Sequence, residues 1–456
     1  MSTDPSVLDR IVKAYDIRGT TPDEMNDDVA FALGVAFADF VKSPTVLVGR
    51  DMRVTGESLA ESFSRGVTSR GVNVVNLGLA STDLVYFAAG SLDAPGAMFT
   101  ASHNPAEYNG IKFCLSGARP LGIDTGLATI RDAAKEVLAG RGPADVAAFG
   151  TIAERDMLND FADHVVSFID VDSLIPMKVV ADTANGMGGL IVPVVFDRLP
   201  MMQLEVMYPE LDGSFPNHPA DPIQPANQRD LQARVVSGGF DIGLAFDGDG
   251  DRVIGVDHVG NIVDGDHLLA LAAIDMHERK VLDGNGVVVT VMTNAGFHEA
   301  MAKHGISVVT TPVGDRSVLL ALDENNYALG GEQSGHIIYR KDATTGDGLL
   351  AGVRLVDLVR RKNVTLQKLA QDAMTSLPQV LINVRVESVA SDLATQFAQE
   401  IAAAERDLNG VGRVLLRASG TEPLVRVMVE AQFEETANSV AQRLAASVIK
   451  RLGGSR

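Results

Sequence analysis

Three aspartates alternate with two glycines in "DIGLAFDGDGDRVIGVD": Asp247, Asp249 and Asp251, with Gly248 and Gly250 between them. Carboxylates this close repel one another, so they need a cation or water around them. Alternate residues of an extended segment project to one side, and glycine lets the segment bend around an ion. Such an all-oxygen ligand set suits Mg²⁺, which keeps positions open for a substrate or phosphoryl oxygen. Arg252 follows directly and could contact that oxygen. A calcium EF-hand would need glycine at loop position six and glutamate at twelve, where this chain has Arg252 and His258. A solvated acidic turn explains one Asp-Gly step, but poorly explains three between apolar strands.

A second reactive segment, "FTASHNPAEYNGIKF" at residues 99–113, carries Ser102, His103 and Lys112. A nucleophile elbow would have glycine two residues either side of the serine. Thr100 and Asn104 stand there, so a hydrolase serine is excluded. Ser, Asn and Pro are also turn and cap residues, and taken alone the segment reads as a turn. Its context favours chemistry. The buried run "GAMFTA" delivers Ser102 to a strand end, where open α/β sheets place ligands. A serine hydroxyl becomes a nucleophile once a base takes its proton or a metal polarises it. His103 and Lys112 are candidate proton carriers; singly, each also reads as an ordinary loop histidine and a surface charge.

Two later loops add recognition chemistry. "LGGEQSGHIIY" sets Glu332, Ser334 and His336 in alternation after paired glycines, able to hydrogen-bond the vicinal hydroxyls of a sugar or to form a plain turn. "LLRASGTEPLVRV" gathers Arg417, Ser419, Gly420, Thr421 and Arg426 about a Ser-Gly turn. Its backbone amides would form an anion-binding concavity completed by arginine, or it is a simple hairpin. "DIRGT" places Arg18 either toward a cleft or in a salt bridge. "GDGLLA" at residues 346–351 imitates a dinucleotide fingerprint, but without the β-α-β setting it reads as the start of a helix.

Holding these loops is a chain of 456 residues, too long for one hydrophobic core. A 46% hydrophobic and 21% charged composition is that of a soluble globular protein. The net charge of −20 repels nucleic acid and anionic lipid. The absence of tryptophan argues against a base-stacking surface. Cys114 is the only cysteine, so no internal disulfide can form. With no signal pattern or bilayer-length apolar run, the expectation is a cytoplasmic protein with no membrane or nucleic-acid partner, monomeric or homodimeric.

Strand, polar loop, helix and strand recur three times, opening at "SPTVLVGRD", "MKVVADTANGMGG" and "NGVVVTVMTNAG". The last part follows the order β-α-β-β-α. The expected fold is therefore three related α/β domains and a smaller C-terminal α+β domain. Their bounds are placed at 1–147, 148–260, 261–373 and 374–456.

Together, "TASHNP", "DGDGDR", "GEQSGH" and "RASGTEP", in this order, resemble the four signature loops of the α-D-phosphohexomutase family. The resemblance implies four domains around a central cleft, the last TBP-like and mobile. It implies that Ser102 carries a phosphoryl group and that Asp247, Asp249 and Asp251, with a phosphoryl oxygen on Ser102, hold Mg²⁺. Lys112 and His103 would assist proton transfer, with Arg252 and Arg18 beside them. Glu332, Ser334 and His336 would grip the sugar; Arg417, Ser419, Gly420, Thr421 and Arg426 would hold the substrate's own phosphate. The implied reaction moves phosphate between O6 and O1 of a hexose through a hexose 1,6-bisphosphate, which also serves as activator.

The sugar reads as a mosaic. "VKAYDIRG", "FTASHNPAEYNGIKF" and "DGSFPNHPADP" resemble the phosphomannomutase/phosphoglucomutase branch. "TVMTNAG", "TPVGDRSV", "GGEQSGHII" and "GRVLLRASGTEPLVRVMVE" resemble phosphoglucosamine mutases, with Asp315 and Arg316 where the other branch often has histidine. On the first half the expectation is a mannose or glucose phosphate, with glucosamine phosphate as the alternative. Two other classes compete: an aspartyl-phosphate phosphatase with Asp247 as nucleophile, and a non-enzymatic phosphosugar-binding module.

Overall fold

The computed structural model describes residues 3–144, 146–171, 175–386, 392–418 and 424–454. Its contacts group into two compact units, Met1–Val291 with Ile306–Gln371, and Met292–Gly305 with Asp372–Arg456.

The larger unit holds three sheets that repeat one plan. In each, the first strand of the recurring sequence pattern lies inside the sheet: Thr45–Arg50, Met177–Asp182 and Gly286–Thr290. The strand that returns after the helix pairs parallel on one side, as Asn73–Leu79, Met202–Met207 and Ser307–Thr311. A third parallel strand pairs on the other side, as Gly96–Phe99, Ile242–Phe246 and Leu329–Gly331. An antiparallel fourth follows it directly, as Tyr108–Leu115, Val253–Asp257 and Ile337–Tyr339. Central strands such as Ile242–Phe246 are buried along their whole length, which is why they read as unbroken apolar runs.

The plan places the chemistry. Residues 100–107, 247–252 and 332–336 each connect a third strand to its antiparallel fourth. The serine, aspartate and sugar-type loops are thus the same hairpin in three successive sheets. A hairpin needs no crossover helix, so its side chains stay at the sheet edge where parallel strands end.

Helices cover these sheets by ordinary capping and packing. Asn26 accepts from Val29 N at 3.1 Å to start the helix Asp27–Val41. Phe37, Phe63 and Phe113 pack together in the first core, Phe37 stacking on Phe113 with ring centres 4.3 Å apart. The segment that imitates a dinucleotide fingerprint does begin a helix, Gly348–Lys362, where Asp347 caps Leu350 N at 2.7 Å.

The smaller unit has the expected β-α-β-β-α order. Its antiparallel sheet runs Gln379–Arg385, Leu424–Ala431, Gly412–Ala418, and the helices Ala398–Asp407 and Glu434–Leu452 share its core. The helix Ala295–Lys303, the "FHEAMAKHG" that joins two parallel strands of the third sheet, is grouped by its contacts with this unit. The cause is polar. Glu430, fully buried, accepts from Ala295 N at 2.9 Å, Gln379 Nε2 at 2.8 Å and Arg413 Nε at 2.9 Å. Asn294 adds a clasp to the main chain of Leu377.

Candidate active site

Ser102 leaves the strand Gly96–Phe99 with φ +52° and is wholly buried. That left-handed backbone is costly for a residue with a Cβ, so neighbours must hold it. Thr100 Oγ1 accepts from Ser102 N at 2.8 Å. Arg53 does more. Its guanidinium donates to four carbonyls of the loop: Ser102 and Asn104 at 2.8 and 2.6 Å, Pro105 and Tyr108 at 2.8 Å each. Arg53 is 2% exposed, ion-paired to Asp51 at 3.3 Å and set over the Phe215 ring.

The serine hydroxyl donates to Asp247 Oδ2 at 2.9 Å and stands 3.2 Å from His103 Nδ1. Asp247, Asp249 and Asp251 are all buried, and one carboxylate oxygen from each lies within 4.8 Å of the others. Thr82 Oγ1 donates to Asp249 Oδ2 at 2.6 Å. Lys112 Nζ donates to Asp249 and Asp251 at 2.7 Å each, leaving Asp249 Oδ1 and Asp251 Oδ1 buried without hydrogen-bond partners among the described residues. Hard, buried and partly unsatisfied oxygens are the donor set of a small divalent cation, and these residues fit one.

Electrostatics sort the protons here. Burial, with Asp249 and Asp251, pushes the Asp247 carboxyl well above the usual range. Burial acts the same way on Asp249, but Lys112 reverses it and draws that carboxyl below its ordinary value. Burial would also deprotonate Lys112, yet Asp249 and Asp251 overrule it and hold the ammonium form. For His103, burial and the cations Arg252 and Arg18 push the pKa down to about 2. The imidazole is therefore neutral. Arg252 Nη1 lies 3.3 Å from His103 Nδ1, and since a guanidinium only donates, that nitrogen accepts and the proton sits on Nε2.

Arg18 satisfies both of its sequence readings, donating to Asp16 at 2.7 Å and to Asn104 Oδ1 at 2.6 Å while lining the cleft. The same cleft is lined by Lys112, Asp251, Arg252, Glu332 and His336. Glu332 Oε1 accepts from Gly314 N at 3.0 Å. His336 Nε2 accepts from Gly346 N at 3.1 Å, so this nitrogen supports the loop and only Nδ1 remains for another partner. Ser334 Oγ is shielded and has no hydrogen-bond partner among the described residues.

In the smaller unit, Arg417 and Arg426 are register partners on adjacent strands. Register partners on antiparallel strands project from the same face of the sheet. Ser419, Gly420 and Thr421 lie outside the described residues.

Arg53, Asp51 and Thr82 are the residues that sequence reasoning missed. A signal existed for the first two: "GRDMR" closes a buried parallel strand, the sheet end where the fold puts its function. Thr82 had none, because a threonine opening a helix is commonplace.

Comparison with known proteins agrees with this geometry. The chain matches the family descriptions "Phosphoglucomutase/phosphomannomutase, alpha/beta/alpha domain I" over residues 9–139, domain II over 159–260, domain III over 264–377 and "C-terminal domain" over 381–447. It is 44% identical over 418 residues to a phosphoglucosamine mutase of Frankia alni, covering 91% of this chain and 90% of that one. A phosphoglucosamine mutase of Thermobifida fusca is 40% identical over 448 residues, covering 96% and 98%. The crystal structure of a phosphoglucomutase/phosphomannomutase family protein from Burkholderia thailandensis superposes with a TM-score of 0.82 at 26% identity, covering 99% of both chains. With all four domains and the serine and aspartate loops brought together, the chain belongs to the α-D-phosphohexomutase superfamily, as a mutase.

Proposed function

We propose that this chain interconverts glucosamine 6-phosphate and glucosamine 1-phosphate through a phosphorylated Ser102. The observation that carries the phosphoryl chemistry is the 2.9 Å contact of Ser102 Oγ with Asp247 inside three buried carboxylates. This reading takes the glucosamine alternative over the mannose or glucose expectation. The segments that resemble the mannose/glucose branch include those that build the phosphoryl side, around Ser102 and Arg18, which every hexose phosphate needs alike. Gly314, Asp315, Glu332 and His336 line the cleft from segments that resemble the glucosamine branch. Relatives at 40–44% identity carry the glucosamine name.

Asp247, Asp249 and Asp251 would hold Mg²⁺, whose charge would neutralise the phosphoryl oxygens during transfer. Lys112, kept protonated, is the acid that meets the departing oxygen. His103, neutral, accepts a hydrogen bond from Arg252 Nη1 and sets that guanidinium beside Ser102 rather than storing a proton. Arg252 and Arg18 offer donors to phosphate oxygens. Glu332 and Ser334 take sugar hydroxyls, while Arg417, Ser419, Gly420, Thr421 and Arg426 take the phosphate not being transferred. A hexose 1,6-bisphosphate would prime the serine.

The test is a side-by-side assay on glucosamine, glucose and mannose 1-phosphates with Mg²⁺ and glucose 1,6-bisphosphate. The highest kcat/KM is expected for glucosamine 1-phosphate; a higher value for glucose or mannose would return the reading to the other branch. Ser102→Ala should abolish an acid-stable phosphoenzyme and turnover together. A phosphoenzyme that survives in this variant and is cleaved by hydroxylamine would instead identify an aspartyl phosphate.

A further inference from the structure

We propose that the Asp315 carboxylate recognises the ammonium group of an amino-sugar phosphate and sets the preference for it over the hydroxyl counterpart. This rests on the amino-sugar reading above.

Asp315 opens the helix Asp315–Asn325 after Gly314, whose φ is +125°. An acidic residue in a helix's first turn has an ordinary role, complementing the exposed amides. Oδ1 of Asp315 fills part of it, accepting from Arg316 N at 2.7 Å. The position of the side chain adds something else. Asp315 lines the cleft that also holds Lys112, Arg252 and Glu332. Glu332 accepts from the amide of Gly314, Asp315's neighbour in the chain, at 3.0 Å, and both acidic residues line this cleft.

Other charges of this cleft are paired: Asp16 with Arg18 at 2.7 Å, and Asp251 with Lys112 at 2.7 Å. Glu332 makes no ion pair among the described residues but feels the field of Arg252. Arg316, the cation nearest Asp315 in sequence, turns away and donates to Asp124 at 2.9 Å. Asp315 makes no ion pair among the described residues. The surplus is felt locally: burial, then Asp16, Asp315 and Glu332, raise the pKa of Tyr15 on the same wall.

A half-buried carboxylate without a cation favours a ligand that brings one. An ammonium forms a charge-assisted hydrogen bond there, roughly twice as strong as the neutral bond of a hydroxyl. Discrimination then works from both sides, since a neutral sugar leaves the carboxylate desolvated and uncompensated.

The experiment compares kcat/KM for glucosamine 1-phosphate and glucose 1-phosphate in the full-length wild type and in Asp315→Asn, with melting temperature as the check on folding. The ratio of the two constants should fall about 10- to 100-fold in the variant. Asp315→Ser, neutral and still able to cap the helix, should give the same shift and serves if the asparagine variant folds poorly. A ratio that stays within about twofold in a folded variant overturns the proposal and leaves Asp315 a helix-capping residue only. The wild-type ratio is a separate arm. If it favours glucose 1-phosphate, the amino-sugar reading fails, and this proposal with it.

Discussion

The two ends of the cleft are built differently. At the phosphoryl end every charged group has a charged partner: Lys112 bridges Asp249 and Asp251, and Arg18 binds Asp16. Behind it, buried Arg53 holds four carbonyls of the serine loop. On the sugar wall, Glu332 and Asp315 bond only backbone amides, and Ser334 Oγ bonds nothing among the described residues. One end is preorganised for a step whose charges are the same for any hexose phosphate. The other keeps polar groups in reserve for whichever sugar arrives. On the proposed reading chemistry and selectivity are separable, and substitution on the wall should change the sugar preference without disturbing transfer.

The contrast can be broken most forcefully at the phosphoryl end. Asp249→Asn removes the carboxylate that meets both Lys112 and Thr82. We expect kcat to fall by about 10³-fold with every sugar phosphate, measured across a Mg²⁺ titration. A loss confined to one sugar would merge the two ends. Arg53→Lys is the next test. A lysine cannot hold four carbonyls at once, so kcat should drop about 10- to 100-fold with KM within about threefold, read in steady-state kinetics. A rise in KM alone would move Arg53 to the binding side.

The smallest effect lies behind the aspartate loop, where His218 Nε2 stands 3.1 Å from Asp182 Oδ2. Burial works against protonation there, but the hydrogen bond and charge of Asp182 outweigh it and raise the His218 pKa. A raised folded-state pKa stabilises fully below the unfolded value of about 6.5 and stops doing so as pH climbs through the folded one. His218→Gln should therefore lower Tm by about 1–2 °C near pH 6, and the gap should close by about pH 9. A gap independent of pH would make this contact one of packing alone.

What the sequence disclosed follows the same division. Ser102 and the aspartates were legible because their types are improbable together without chemistry, and the repeated strand–helix pattern predicted three sheets of one plan. The equivalence of the three hairpins was not legible, since their residues share no likeness; it emerges only from strand order. Arg53 went unread because an arginine in a polar loop suggests solvent, and its burial depends on carbonyls about fifty positions further along the chain. The helix Ala295–Lys303 was legible as the crossover of the third repeat, but not that Glu430, far along the chain, satisfies its first amide. The sugar was the least legible part, because the first half of the chain, on which the mannose or glucose expectation rests, includes the segments around Ser102 and Arg18 that any hexose phosphate would need.

Gly248 lies against the serine loop so closely that a Cβ there would come within 2.5 Å of the Ser102 carbonyl oxygen. No side chain intervenes to yield, so the separation between the Ser102 loop and the carboxylate loop is set by main chain against main chain. On the proposed reading, in which Ser102 carries the phosphoryl group, a serine spaced this way would have a short reach. The sugar would then be the partner that turns end for end and presents its other oxygen.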